Sequence, residues 1–500
     1  MKENQQVYYS STRDSSLKIT ASQAILQGLS RDGGLFVPDH IPALDRTMKD
    51  LSEMSYNDVA YEVMKLFLTD FTEDDLRRCI SSAYAESHFD TNPIVPLVEA
   101  DNSYFIELFH GPTIAFKDMA LQLLPYLMTT SAHMNGVNDE IVILTATSGD
   151  TGKAALAGFA DVPGTKIVVF YPKNGVSHIQ EKQMVTQKGD NTCVIGIHGN
   201  FDDAQTGVKN IFGDRELEAE MKKAGLRFSS ANSINIGRLV PQIVYYVYSY
   251  AHLLAEGRIT DGTKINVTVP TGNFGNILAA YFAKHMGVPI DRLICASNEN
   301  KVLFDFFKTG TYDRNRDFVL TTSPSMDILI SSNLERLIYM TAGCSSEKCA
   351  SLMKQLSEQG RYDITDDMKH LMSDFYGGYA SEDECAAAIR DIYSECGYII
   401  DTHTAVAASV YRQYRKETGD TKPTLIASTA SPYKFAGSVM SDIDPENAKL
   451  DDTQLIDLLS KKSGTSIPNA IKGLFTAPVI HKGECDKDEM KDKVKEFLAI

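Results

Sequence analysis

The chain has 500 residues, 43% hydrophobic and 23% charged, the balance of an ordinary globular protein with room for two or three domains and a large core. Its 49 lysines and arginines face 66 aspartates and glutamates, a formal net charge of −17. That balance excludes a general binder of nucleic-acid backbones, serves solubility, and leaves room for a local cationic pocket. The eight cysteines are scattered. Only Cys344 and Cys349 lie close, with no histidine or cysteine pair nearby to complete a zinc set, so all read as thiols in a reducing compartment and no metal is expected. The opening MKENQQVYYS lacks the apolar core of a signal peptide, and no run of about 18 apolar residues occurs. A cytoplasmic protein that engages neither membrane nor nucleic acid is the expectation.

Residues 1–95 read as a unit of their own: an extended YYSSTRD, a helical ITASQAILQGL, the turn RDGGLFVP, and helices around Tyr56–Leu68 and Asp74–Tyr84. Asn92-Pro93 and Pro96 mark its exit. Beyond it, strand and helix alternate. EIVILTA (140–146), KIVVFYP (166–172), NTCVIGIHG (191–199), KINVTVP (264–270), DRLICASN and TLIAST (424–429) read as strands. The helices among them are GKAALAGFA, HIQEKQMVTQKG, DDAQTGVKNIFGD, RLVPQIVYYVYSYAHLLAEG and ILAAYFAKHMG. Continuous apolar strands between helices predict parallel sheets covered on both faces. Residues 300–400 are more polar and read as mostly helical, and the last 60 as surface helices. No internal repeat or low-complexity tract interrupts the chain.

Five stretches carry residues suited to chemistry. HGPTIAFKDMA (110–120) places Lys117 after a glycine-proline turn among apolar neighbours. Burial there depresses an amine's pKa and suits attack on a carbonyl, although a buried stem with a salt-bridged head is the commoner use of such a lysine. VTVPTGNFGNILAAYFA (267–283) runs a strand through Gly272, Asn273, Phe274, Gly275 and Asn276 into a helix. Its N–H groups and helix end suit one phosphate; neither dinucleotide nor P-loop spacing fits, and a plain βα turn is the bland alternative. ILTATSGDTGKAAL (143–156) sets Thr147, Ser148, Asp150 and Thr151 around Gly149 and Gly152, suiting a carboxylate or, more simply, helix capping by Ser148 or Asp150. FSSANSINIGRLVPQ (228–242) offers Asn232, Ser233, Asn235 and Arg238, either to an anionic ligand or as a cap. In IASTASPYKFAGS (426–438), Thr429, Ser431 and Lys434 follow a strand in what alone is a turn.

Taken in order, FKD, TSGDTG, NSINIGR, GNFGN and STASPYKF resemble the threonine synthases, pyridoxal-phosphate enzymes of the tryptophan synthase β-type fold. YYSSTRD and ASQAILQGLSRDGGLFVP are similar to the N-terminal domain of that family's bacterial and fungal branch. The match spans residues 8 to about 440 and is thinnest across 300–400. The resemblance implies a fold-type II α/β enzyme: two open parallel-sheet domains with the cofactor between them, at 96–240 and 241–500, plus the small domain 1–95 and a helical insertion about 300–400. It implies that Lys117 holds pyridoxal 5'-phosphate covalently, that Gly272, Asn273, Phe274, Gly275 and Asn276 hold its phosphate, and that Thr429 faces its ring nitrogen. A neutral hydroxyl there makes a weaker electron sink than a carboxylate would, favouring elimination and replacement over transamination. Thr147, Ser148 and Thr151 match the substrate-carboxylate loop, and Asp150 stands where some fold relatives have an asparagine near the cofactor's ring oxygen. Asn232, Asn235, Arg238 and Lys434 are candidates for a substrate phosphate on charge and position alone. The implied reaction converts O-phospho-L-homoserine and water to L-threonine and phosphate, by a monomer or homodimer. A phospho-lyase or serine/threonine dehydratase releasing a 2-oxo acid would use the same lysine and loop, and a non-catalytic binding protein on this fold is the rival from another class.

Overall fold

The computed structural model describes residues 6–147 and 149–500. Two sheets organise it. One has five strands, all parallel, in the order Gly483–Asp486, Thr192–His198, Thr165–Pro172, Glu140–Ala146, Leu226–Ser229. The other has six, in the order Phe375–Tyr379, Ile290–Ser297, Ile265–Pro270, Thr424–Ser428, Ser103–Glu107, Leu97–Ala100; only the last pair is antiparallel. Thr165–Pro172, Ile265–Pro270 and Thr424–Ser428, read as apolar runs, are buried along nearly their whole length, as double-sided coverage requires.

The N-terminal unit pairs Tyr9–Ser11 with Phe36–Pro38 and adds the helices Ala21–Gln27, Tyr56–Phe67 and Glu73–Ala83. Ala21–Gln27 and Tyr56–Phe67 pack, within the largest apolar cluster, against the helix Ile236–Ala255, which is buried along almost all of its 20 residues, and Glu73–Ala83 packs on Tyr56–Phe67. No helix among the described residues is long and apolar enough to cross a membrane. The eight cysteines are free thiols, with Cys344 and Cys396 exposed.

Three sequence expectations need correction. The sheets cross the boundary expected near residue 240: Leu97–Glu107 joins the sheet built mainly from later residues, and Gly483–Asp486, expected among surface helices, closes the edge of the earlier one. Leu97–Ala100 and Gly483–Asp486 are short strands at sheet edges, where no long apolar run is needed. The stretch 300–400 is more than a helical insertion, since Phe375–Tyr379 extends the six-stranded sheet and Thr311–Asp313 pairs with Arg361–Asp363. Phe228 and Ser229, expected in a polar cluster, end the edge strand Leu226–Ser229.

Candidate active site

Asp118 shapes the turn that presents Lys117. Its carboxylate accepts the Thr113 backbone N–H at 2.8 Å and the Thr113 hydroxyl at 2.7 Å. Burial pushes the Asp118 carboxyl up while those bonds hold it down. Ile114 takes φ 52°, left-handed for a β-branched residue, a strained conformation of the kind that collects at functional sites. The neighbouring backbone locks it: Ser431 N–H donates to Ile114 O at 3.0 Å, Phe116 N–H to Thr429 O at 2.8 Å, and Ala115 bridges Ala430. Thr429, 5% exposed, therefore lies beside Lys117.

Lys117 Nζ donates to Asp150 Oδ2 at 3.3 Å and to Ser325 Oγ at 3.1 Å. Burial lowers its pKa; Asp150 pulls it back up, while the charges of Lys434 and Arg238 push it down again. Asp150 also meets Lys434 Nζ at 3.1 Å and accepts from Gln180 Nε2 and from Ser325 Oγ, each at 2.8 Å. Burial pushes the Asp150 carboxyl up, but Lys434, Lys117 and His403 overrule it and hold it well below the usual range. Lys434, 1% exposed, is further held by Thr113 O at 2.9 Å.

Four residues at this centre went unread in the sequence. Ser325, in the turn Pro324–Met326, spends its hydroxyl proton on Asp150 and so meets Lys117 as an acceptor. Its backbone N–H donates to His403 Nε2 at 3.2 Å, and His403 Nδ1 pairs with buried Asp401 at 2.8 Å. Gln180 comes from the helix His178–Val185. Lys153, brought to about 7 by burial and by the charge of Lys434, turns its amine to Gln187 Oε1. Its place in TSGDTGK was a usable signal; nothing near Ser325 or His403 in sequence was.

The glycine loop reaches the same centre. A Cβ on Gly272 would stand 2.8 Å from Ser325 O, so only glycine permits this approach. Phe274 takes φ 64° and buries its ring between Phe307 and Phe375, 6.0 and 5.7 Å between centroids. The 11-residue helix Gly275–His285 then begins with no side-chain cap among the described residues. Asn273 is exposed. Asn276 Oδ1 accepts from Tyr245 at 2.8 Å and from Tyr246, while its buried Nδ2 has no partner among the described residues.

The remaining candidates divide. Ser148 lies outside the described residues. Asp150 does not cap the helix but turns inward to the lysines, and the Thr147 hydroxyl accepts Gly149 N–H and Gly152 N–H, each at 2.9 Å. Thr151, half-buried, begins the same helix. Arg238 is 3% exposed and donates through Nη1 to Ala231 O at 3.0 Å. Its Nε has no partner among the described residues, and burial lowers the guanidinium to about 10. Asn232 is exposed on the loop before it. Asn235 is corrected from ligand donor to cap: Oδ1 accepts Gly237 N–H at 2.9 Å, and Nδ2 spends both hydrogens on Ile25 O and Ser230 O at 3.0 Å each. A buried amide with every hydrogen committed has nothing left for a ligand.

These residues fit pyridoxal phosphate. A buried amine of lowered pKa stands beside a glycine loop that opens an uncapped helix, with buried Asn276 Nδ2 and Arg238 Nε left for an acceptor and a neutral hydroxyl at Thr429. Asp150 and Thr147 arrive from the C-terminal ends of one sheet's strands, Gly272 and Thr429 from those of the other. Open α/β sheets bind ligands there.

A family model described as threonine synthase N terminus matches residues 8–84, and one described as pyridoxal-phosphate dependent enzyme matches residues 92–429. Threonine synthase-like 1 of Homo sapiens is 42% identical over 432 residues, 84% of this chain; the chain spans only 57% of that protein's length. Threonine synthase of Saccharomyces cerevisiae is 37% identical over 462 residues, covering 86% of this chain and 88% of the yeast protein. The crystal structure of PLP-bound threonine synthase from Brucella melitensis superposes with a TM-score of 0.87 at 34% identity, over 99% of this chain and 100% of that one. With its N-terminal unit, its two sheets and the turn that carries Lys117, the chain belongs to the pyridoxal-phosphate-dependent threonine synthase family.

Proposed function

We propose that this chain converts O-phospho-L-homoserine and water to L-threonine and phosphate. The observation that carries the reading is the imbalance of buried charge around one amine. Asp150 faces both Lys117 and Lys434, while Arg238 is buried nearby with a backbone carbonyl as its one hydrogen-bond partner among the described residues. A phosphorylated amino acid is the ligand such a site favours, and it reconciles local positive charge with an acidic protein.

In this reading the backbone of Gly272–Asn276 and the helix end hold the cofactor phosphate, and Thr429 meets the ring nitrogen. Pyridoxal phosphate, when bound, supplies the electron sink that lets protons leave the substrate carbons and the γ-phosphate depart. Lys117 Nζ, whose pKa burial lowers, moves those protons. Ser325 Oγ, able only to accept from Lys117, fixes how that amine turns. Thr147, Ser148 and Thr151 receive the substrate carboxylate, and Asp150 balances the two lysines. Arg238, Lys434 and Asn232 take the charge of the departing phosphate. The chain divides into an N-terminal unit to about residue 95 and α/β units to about 240 and to 500, with 97–107 and 483–486 exchanged between sheets. A cytoplasmic monomer or homodimer completes the reading.

Elimination that stops at 2-oxobutyrate would use the same lysine and loop. Cofactor-loaded protein given O-phosphohomoserine separates the two: equimolar threonine and phosphate is expected, and 2-oxobutyrate as the main product overturns the synthase reading.

A further inference from the structure

The glycine loop is held from behind, through its carbonyls. Ser331 Oγ donates to Gly272 O at 2.6 Å, and Asn333 donates to Asn273 O through both N and Nδ2, each at 3.0 Å. A trans peptide points its N–H opposite its C=O. Anchoring those two carbonyls therefore aims Asn273 N–H and Phe274 N–H the other way.

The anchor has its own anchor. Arg336, fully buried, donates from Nη1 to Asn333 Oδ1, from Nε to Phe36 O at 2.8 Å, and from Nη2 to Ile234 O at 2.5 Å. Phe36 lies in the N-terminal strand pair, and Ile234 in the loop that leads to Arg238. The neighbouring Glu335 is taken by Arg13 and Thr12, at 2.8 and 2.6 Å, so it forms no ion pair with Arg336 and fastens the start of the helix Leu334–Thr341 to the N-terminal unit. One planar guanidinium thus fixes three parts of the chain at set angles, which a lysine cannot reproduce.

We propose that Arg336 is a positioning residue through which the N-terminal unit sets the Gly272–Asn276 loop to receive the cofactor phosphate. The inference rests on the reading of that loop given above. It assigns the N-terminal unit a part in cofactor affinity, though no N-terminal residue need touch the cofactor.

The test titrates full-length apoprotein with pyridoxal phosphate and, separately, with pyridoxal, which lacks the phosphate, following visible absorbance on attachment. Wild-type protein binds pyridoxal phosphate the tighter. Arg336→Lys weakens pyridoxal phosphate binding about tenfold and leaves pyridoxal unchanged. General damage to the fold would weaken both alike, and that result, or no change in either, overturns the proposal. If Arg336→Lys does not fold, by circular dichroism, Asn333→Ser is read by the same comparison. Should wild-type protein show no preference between the two ligands, the reading of the loop itself fails, an outcome distinct from a preference that survives the substitutions.

Discussion

The helices Asp150–Phe159 and Gly275–His285 both begin at the site after a strand and a glycine turn, yet their first turns are finished differently. At the first, the Thr147 hydroxyl already occupies two backbone N–H groups. At the second, no side chain among the described residues caps the helix, and the loop is held by its carbonyls. At the first end a side chain takes one first-turn N–H, that of Gly152; at the second none is taken by a side chain among the described residues, and an anion there gains both donors and dipole. Two loops that look alike as glycine-rich strand-to-helix turns are therefore suited to different work. The Gly272 loop offers backbone N–H groups, and the Thr147 loop offers side chains.

Substitutions can break this contrast. Gly272→Ala drives a methyl group against Ser325 O and should weaken pyridoxal phosphate binding about ten- to hundredfold, measured by titration of apoprotein. An unchanged affinity would remove the loop from the cofactor site. Thr147→Val strips the cap from the other helix and should cost about 1–2 kcal/mol of stability in denaturant unfolding, with cofactor affinity kept within about twofold. Equal damage to affinity would mean that the two helix ends are not functionally distinct. The smallest effect concerns pH. Asp150 raises the Lys117 pKa that burial lowers. Asp150→Asn should therefore keep the amine neutral to lower pH and shift the acid limb of kcat downward; an upward shift contradicts the electrostatics described here.

Much of the fold was readable because buried parallel strands are long apolar runs and glycine turns punctuate them. Glu140–Ala146, Thr165–Pro172 and Ile265–Pro270 fall within a residue of their expected bounds. Leu97–Ala100, Phe375–Tyr379 and Gly483–Asp486 were not readable, since a sheet-edge strand can be short, glycine-containing or charged. The site divided the same way. Lys117 and the glycine loop sit in suggestive local patterns, whereas Thr429, in what alone is a turn, gains its role only from the resemblance. Ser325 and His403 gain meaning only from contacts 208 residues apart to Lys117 and 78 residues apart to each other. Asn235 shows the converse, since a polar residue before a helix looks the same whether its amide is free or spent.

Three lysines are buried at this centre, and Lys153, brought to about 7, answers a search for a reactive amine as well as Lys117 does. Geometry separates them, for Lys153 turns to Gln187 and Lys434 is held between Asp150 and Thr113, whereas Lys117 reaches Ser325 beside the glycine loop. Borohydride reduction of cofactor-loaded protein, followed by proteolysis and mass mapping, reads the attachment point directly. The reduced pyridoxyl phosphate should sit on the peptide that contains Lys117. A label on Lys153 or Lys434 instead would contradict the account.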